Sequence, residues 1–326
     1  MSRGEQSMVP EPTFESYYGR PILKEPTWKT PDVPIYLWIG GVAGGSALLA
    51  EGAALSGLPG LERVTRLTAA GGAVVGTVAL VHDLGRPERF LNMLRVFKPT
   101  SPLSVGSYIL APFSSFAGAA AASHVTGVAP RLGRLAGLGA AVFGPPLATY
   151  TAALFANTAI PVWHEAHREL PFVFGGSAAA AAGGTAMLLA PVAETGPAVR
   201  MAAVGAVAEL GVSHRMEQRL GMLAEPYGKG LAGRLMRLSR ALTVAGLGLS
   251  AVSAGASGRG RPWARRLAGA SYSAGSLALR FAVFEAGRES ARDPKYVVVP
   301  QRERIRAREE AARSAASETG SGTLSG

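Results

Sequence analysis

Residues 82–108 read HDLGRPERFLNMLRVFKPTSPLSVGSY and join two long apolar stretches that carry no charge. Apolar runs of this length are either membrane spans or deeply buried core helices. The joining segment favours the first reading. It combines an ionisable pair, an amphipathic stretch and a Pro-Thr-Ser-Pro turn. Such a segment fits the headgroup boundary of a bilayer, where it can meet a ligand head or a partner protein.

Composition extends that reading outward. The chain has 326 residues, of which 48% are hydrophobic and 17% charged, against about 25% charged in a soluble domain. Forty-two glycines, with alanine dominating the apolar runs, suit close helix packing in lipid. A soluble Ala-rich solenoid would need a polar face on every helix, and several runs here have none. The net charge of +11 resides in the connections and tails, so nucleic-acid binding is not expected. There is no cysteine, so the chain cannot itself ligate an iron–sulfur cluster. No apolar leader segment precedes residue 33.

Residues 1–32 form a polar arm in which Pro10, Pro12, Pro21, Pro26 and Pro31 forbid a continuous helix. Asp32 can cap the first apolar helix. Windows of about 20 residues then place eight spans near 33–55, 64–83, 104–124, 134–156, 171–191, 197–216, 235–256 and 264–285. The sixth and eighth are the most polar, carrying Arg200, Glu209 and His214, and Arg280 and Glu285, respectively. The fold class is therefore all-α: a polytopic membrane domain over 33–285, its eight transmembrane helices in two packed four-helix bundles. Residues 286–326 read as a charged surface tail that ends disordered.

Eight spans put both termini on one side, here side A, with connections 2–3, 4–5 and 6–7. Connections 2–3 and 6–7 supply Arg86, Arg89, Arg95, Lys98, Arg215, Arg219, Lys229, Arg234, Arg237 and Arg240. The positive-inside rule makes side A cytoplasmic, although Arg259, Arg261, Arg265 and Arg266 in connection 7–8 oppose it.

The protonatable groups also favour side A. His82 and Asp83 end span 2. His164, Glu165, His167, Arg168 and Glu169 fill connection 4–5. Glu209 and His214 lie in the last turns of span 6. Ionisable groups inside spans are costly and usually purposeful, so His82, Asp83 and Glu209 are candidates for proton delivery. None of the five histidines lies near mid-span, so no facing pair is placed to ligate haem. His164 and His167 have helical spacing but no evident third metal ligand. Tyr150 follows Pro145–Pro146, two prolines expected to interrupt span 4 and free backbone carbonyls. Its hydroxyl needs a partner: a freed carbonyl, or a bound quinone. The GGVAGGSALLAEG run, Gly40 to Gly52, reads as a close helix contact, not a phosphate loop.

Four stretches together resemble the NrfD/PsrC family, the polysulfide reductase-like membrane subunits of complex iron–sulfur molybdoenzymes. They are YYGRPILKEPTWKTPDVPIYLWIGGVAGGSALLA (17–50), GRPERFLNMLRVFKPTSPLSVGSY (85–108), YTAALFANTAIPVWHE (150–165) and LRFAVFEAGRESARDPKYVVVPQRER (279–304). The resemblance implies an eight-helix, quinone-reactive anchor without haem, located in the bacterial cytoplasmic membrane. It implies two partners: a ferredoxin-like four-cluster iron–sulfur subunit and a molybdopterin or tungstopterin catalytic subunit. In the polysulfide reductase member the quinone contacts a tyrosine in the fourth helix, and an Asn and a His before the first. Tyr150 matches the tyrosine through its spacing to Pro161 and Trp163. The His position falls near Lys29, after Trp28, and the Asn position near Leu23, so neither side chain carries over.

The expected function is electron passage between the iron–sulfur partner and menaquinone or ubiquinone, in a complex that a cytoplasm-facing formate dehydrogenase would exemplify. Tyr150, Lys29 and Trp28 are the candidate quinone residues. Arg86, Arg89, Arg95 and Lys98 are the candidate docking residues, with Phe90 and Phe97 on the apolar face. Two rivals stay open: a docking anchor with no quinone site, and an ion-translocating module using Glu209, His214 and Arg280.

Overall fold

The computed structural model describes residues 22–26, 28–83, 91–254 and 261–321. Among these residues the fold is helical, with no strand. The long helices are α1 (Asp32–Leu55), α2 (Pro59–Asp83), α3 (Pro102–Thr126), α4 (Pro130–Ala156), α5 (Leu170–Leu189), α6 (Gly196–Leu220), α7 (Gly230–Ala254), α8 (Pro262–Arg292) and α9 (Lys295–Ser321). The first eight coincide with the expected spans, each reaching one to five residues further at its start. α1–α5 and α7 are long and apolar enough to cross a membrane. α6 and α8 fall short of that measure because they carry the charged residues noted above.

Local chemistry sets the boundaries. Pro102, Pro130 and Pro262 open their helices, where the missing N–H costs nothing. Ser101 caps α3 by accepting a hydrogen bond from the Ser104 amide. Gly127 closes α3 at φ 72°, a left-handed conformation that glycine adopts without penalty. The turn before α3 is held by the residues of the opening motif. The Lys98 amide donates to Ser104 Oγ at 3.0 Å, Tyr108 donates to the Leu94 carbonyl at 2.8 Å, and Phe97 packs edge-on against Tyr108.

α1 packs on α2 and α4, and α3 on α2 and α4; α5 packs on α6 and α8, and α7 on α8 and α6. α1 also touches α5 and α8, joining the two sets. The close contact read from GGVAGG is present: a Cβ at Gly44 would run into the Gly144 carbonyl of α4, and one at Gly144 into that of Gly44. Prolines 145 and 146 come directly after, yet α4 continues through them. The expected interruption is absent. Thr149 Oγ1 donates to the Pro145 carbonyl at 2.9 Å, one of the local adjustments by which neighbouring groups keep proline-bearing membrane helices intact.

Ion pairs tie one end and hydrogen bonds the other. At side A, Arg292 bonds Glu25 through two nitrogens, Arg219 bonds Glu169, Lys295 bonds Glu225, and Arg304 bonds Glu165. The arm, connections 4–5 and 6–7 and the C-terminal segment therefore meet on one face. At the opposite end Arg265 donates to the Val192 carbonyl, and the Leu61 amide to Glu194. Within the segment read as a charged surface tail, α9 runs from Lys295 to Ser321 and is exposed from Gln301 to Ala312. Its Arg-, Glu- and Ala-rich stretch after Pro300 consists of strong helix formers.

Candidate functional site

Tyr150 lies on the last turns of α4, half-buried. Its hydroxyl shares a hydrogen bond with that of Tyr36 on α1. The partner of this phenol is thus a second phenol, not a carbonyl freed by the prolines. Room for the Tyr150 ring comes from Gly106 on α3. A Cβ there would stand 2.8 Å from ring atoms Cδ2 and Cζ, and closer still to Cε2. The glycine of SVGSY therefore has a steric cause that its sequence context does not reveal.

The same ring lines a cavity of about 450 Å³ at side A. Its walls are Pro99, Pro102, Val105, Ala153, Ala156 and Pro171, with polar groups from Tyr150, Asn157, His167 and Thr100. The proline-rich turn supplies one wall, the end of α4 another, and connection 4–5 the third. His167 Nδ1 donates to the His164 carbonyl at 3.0 Å, which leaves Nε2 available to a ligand. Volume and lining suit a flat, largely apolar head with a few hydrogen-bonding oxygens.

Beside the cavity lies an aromatic block. Trp163 is fully buried, donates to the Val283 carbonyl at 2.8 Å, and stacks on Trp28 at 5.6 Å. Phe155 packs edge-on against both. Trp28 is thus a packing residue of this block and does not line the cavity; nor does Lys29, which is exposed. His82 is exposed, with Nδ1 2.9 Å from Asp32 Oδ2. Asp83 closes α2, and its side chain lies outside the described residues, as do Arg86, Arg89, Phe90 and Arg259. Arg95, Lys98 and Phe97 are exposed on the turn before α3.

Glu209 belongs to a different place. It is buried in α6 and accepts a hydrogen bond from Thr243 Oγ1 at 3.1 Å. Arg280 of α8 is also buried. It donates to the Phe174 carbonyl at 3.0 Å and lies 3.8 Å over the Phe174 ring. This centre sits within α5–α8, apart from the Tyr150 cavity. His214, farther along α6, pairs with Gln218 at 2.9 Å.

Side A is electrostatically well tied. Arg219, bonded to both oxygens of Glu169 at 2.6 Å, holds that carboxyl below the ordinary range. Lys229 and Lys295 bring Glu225 down to about 2. The residues that sequence reading leaves out of the site are Tyr36, Asp32 and Asn157. His167 is read there as one of the side-A protonatable groups, but not as a quinone residue. Asp32 reads as a cap, and Tyr36 and Asn157 carry no signal of their own.

No match was found among curated proteins. The sequence profile of the polysulphide reductase NrfD family matches residues 24–224, from the arm through α6 and the turn after it. The chain belongs to the polysulphide reductase NrfD family and is a multi-pass membrane protein.

Proposed function

We propose that this chain is the quinone-reactive membrane subunit of an oxidoreductase complex. The eight helices α1–α8 cross the lipid, in two four-helix bundles, with both termini cytoplasmic. The observation that carries the reading is the Tyr150 cavity. Four hydrogen-bonding side chains, Thr100, Tyr150, Asn157 and His167, line a slot whose other walls are apolar, at the face where the arm and the C-terminal segment meet. Asn157 and His167 offer the amide and imidazole chemistry missing at Leu23 and Lys29. A bound menaquinone or ubiquinone supplies a two-electron, two-proton couple. Tyr150 donates to one of its carbonyl oxygens, while Asn157 and His167 hold the head from connection 4–5.

A ferredoxin-like iron–sulfur subunit, itself joined to a molybdopterin or tungstopterin catalytic subunit, docks on side A over Arg95 and Lys98. Electrons pass between its nearest cluster and the cavity. The test is quinone reduction by the tagged complex purified from membranes. Tyr150→Phe and Ala153→Trp should each lower it at least tenfold while the iron–sulfur partner still co-purifies. Unchanged turnover in both variants leaves a docking anchor without a quinone site.

A second reading is favoured by the buried Glu209–Thr243 and Arg280 centre, since such groups in membrane helices mark ion or proton paths. Proteoliposomes would then show a membrane potential during turnover that Glu209→Gln abolishes.

A further inference from the structure

His82, Asp32, Tyr36 and Tyr150 form a graded series from water to the cavity. His82 is 71% exposed at its side chain, Asp32 22%, and Tyr36 5% as a residue. His82 Nδ1 meets Asp32 Oδ2 at 2.9 Å. Asp32 and Tyr36 are four residues apart on α1, hence on one face. Helical side chains lean toward the N-terminus, so the Tyr36 phenol is directed back over the turn that carries Asp32. The Tyr36 ring packs on α2 at Gly76, where a Cβ would stand 3.7 Å from Cδ2. Tyr36 then bonds Tyr150, which lines the cavity.

We infer that these four side chains are the proton-delivery path to the Tyr150 cavity. This deepens the proposed function and rests on it. As Tyr150 gives its phenolic proton to a quinone oxygen, Tyr36 replaces it. Asp32 replaces that of Tyr36, directly or through one water. His82 takes a proton from bulk water at Nε2, passes its Nδ1 proton to Asp32, and returns to its starting tautomer by proton exchange with water at its exposed ring before the next pass. Each group gives and gains one proton, so one pass moves one proton from water to the cavity. Two passes balance the two electrons, which the partner's iron–sulfur clusters deliver one at a time. Delivery thus falls to the imidazole and to a carboxylate on α1, and none of it to Glu209.

The test uses the intact complex with 2,3-dimethyl-1,4-naphthoquinone. Its binding is followed by quenching of tryptophan fluorescence, and its reduction by absorbance. His82→Ala, a surface change that spares the fold, should cut the maximal rate at least fivefold. Added imidazole should restore it to within twofold, with naphthoquinone binding unchanged. Asp32→Asn and Tyr36→Phe should cut the rate at least tenfold, again with binding within twofold. Tyr36→Phe should also enlarge the solvent deuterium isotope effect, which a merely structural loss would not do. Wild-type rates in His82→Ala and Asp32→Asn overturn the path while leaving the quinone site standing. So does a rate loss in His82→Ala that imidazole fails to restore. A wild-type complex that does not bind the naphthoquinone removes the site, and the path with it.

Discussion

Gly106→Ala tests the geometry of the cavity more sharply than removal of any polar group. The added Cβ would stand 2.8 Å from Tyr150 Cδ2 and Cζ and closer to Cε2, where ordinary carbon contacts are about 3.5–4.0 Å. The ring must move by about 1 Å, or α3 must retreat from α4. Overpacking of this kind costs about 1–3 kcal/mol. A ring displaced that far also strains or breaks the Tyr36–Tyr150 bond, and a buried hydroxyl left unpaired costs about 1–3 kcal/mol. Alanine's better helix propensity returns about 1 kcal/mol. The net expectation is a destabilisation of about 1–5 kcal/mol. Turnover should fall by about 10²-fold, since a 1 Å misplacement of a reacting group costs that much. Gly118→Ala is the matched control on the same helix, because nothing lies within 4 Å of its Cβ. Thermal unfolding in detergent and quinone turnover should both separate the two variants. If Gly106→Ala behaves like Gly118→Ala in both assays, the Tyr150 ring does not sit against α3, and the cavity reasoning fails.

The packing sets three further outcomes. Arg280→Met removes the bond to the Phe174 carbonyl and the cation over the Phe174 ring, leaves that buried carbonyl short of a donor, and should destabilise the protein by about 1–3 kcal/mol, read by thermal unfolding. Trp163→Phe removes the bond to the Val283 carbonyl and part of the stack on Trp28, and should cost about 1–3 kcal/mol, loosening the arm in hydrogen exchange. Glu225 is held down to about 2 by Lys229 and Lys295, so its tie to α9 is complete above the unfolded carboxyl value of about 4.3 and is lost as pH falls from there through about 2. Hydrogen exchange at the start of α9, corrected for intrinsic rates, should rise across that window in wild type and be elevated at all pH values in Glu225→Gln.

The helices were legible because two local signals agree. Apolar length marks each span, and Pro or Gly marks most of its ends. α6 and α8 show why composition alone falls short: Glu209 and Arg280 are buried against neighbouring helices, so a window of hydropathy undervalues these helices although their boundaries are readable. Tyr150 could be singled out because a hydroxyl in an apolar run must find a partner. Its partner could not, since Tyr36 lies 114 positions away and the pairing depends on how α1 crosses α4. Asn157 and His167 reach the cavity only because the chain turns back after α4, which no periodicity encodes. Lys29 and Trp28 entered the reading by position before the first span, and the arm instead seats Trp28 on Trp163.

α1 explains why two polar centres coexist so near each other without merging. One stretch of it carries Asp32 and Tyr36 toward α2 and the Tyr150 cavity. Its glycine run faces the other set: a Cβ at Gly41 would stand 3.1 Å from Ala178 Cβ on α5 and 3.5 Å from an Arg280 nitrogen. The same run brings Gly44 onto α4. α1 is therefore the common wall, thin because its contact residues lack side chains. A bulkier residue at Gly41 presses on the charged centre first, and one at Gly44 presses on the helix that bears Tyr150. The two centres are thereby separable by substitution on a single helix. That separability is what allows proton delivery to the cavity to be tested apart from any role of Glu209 and Arg280.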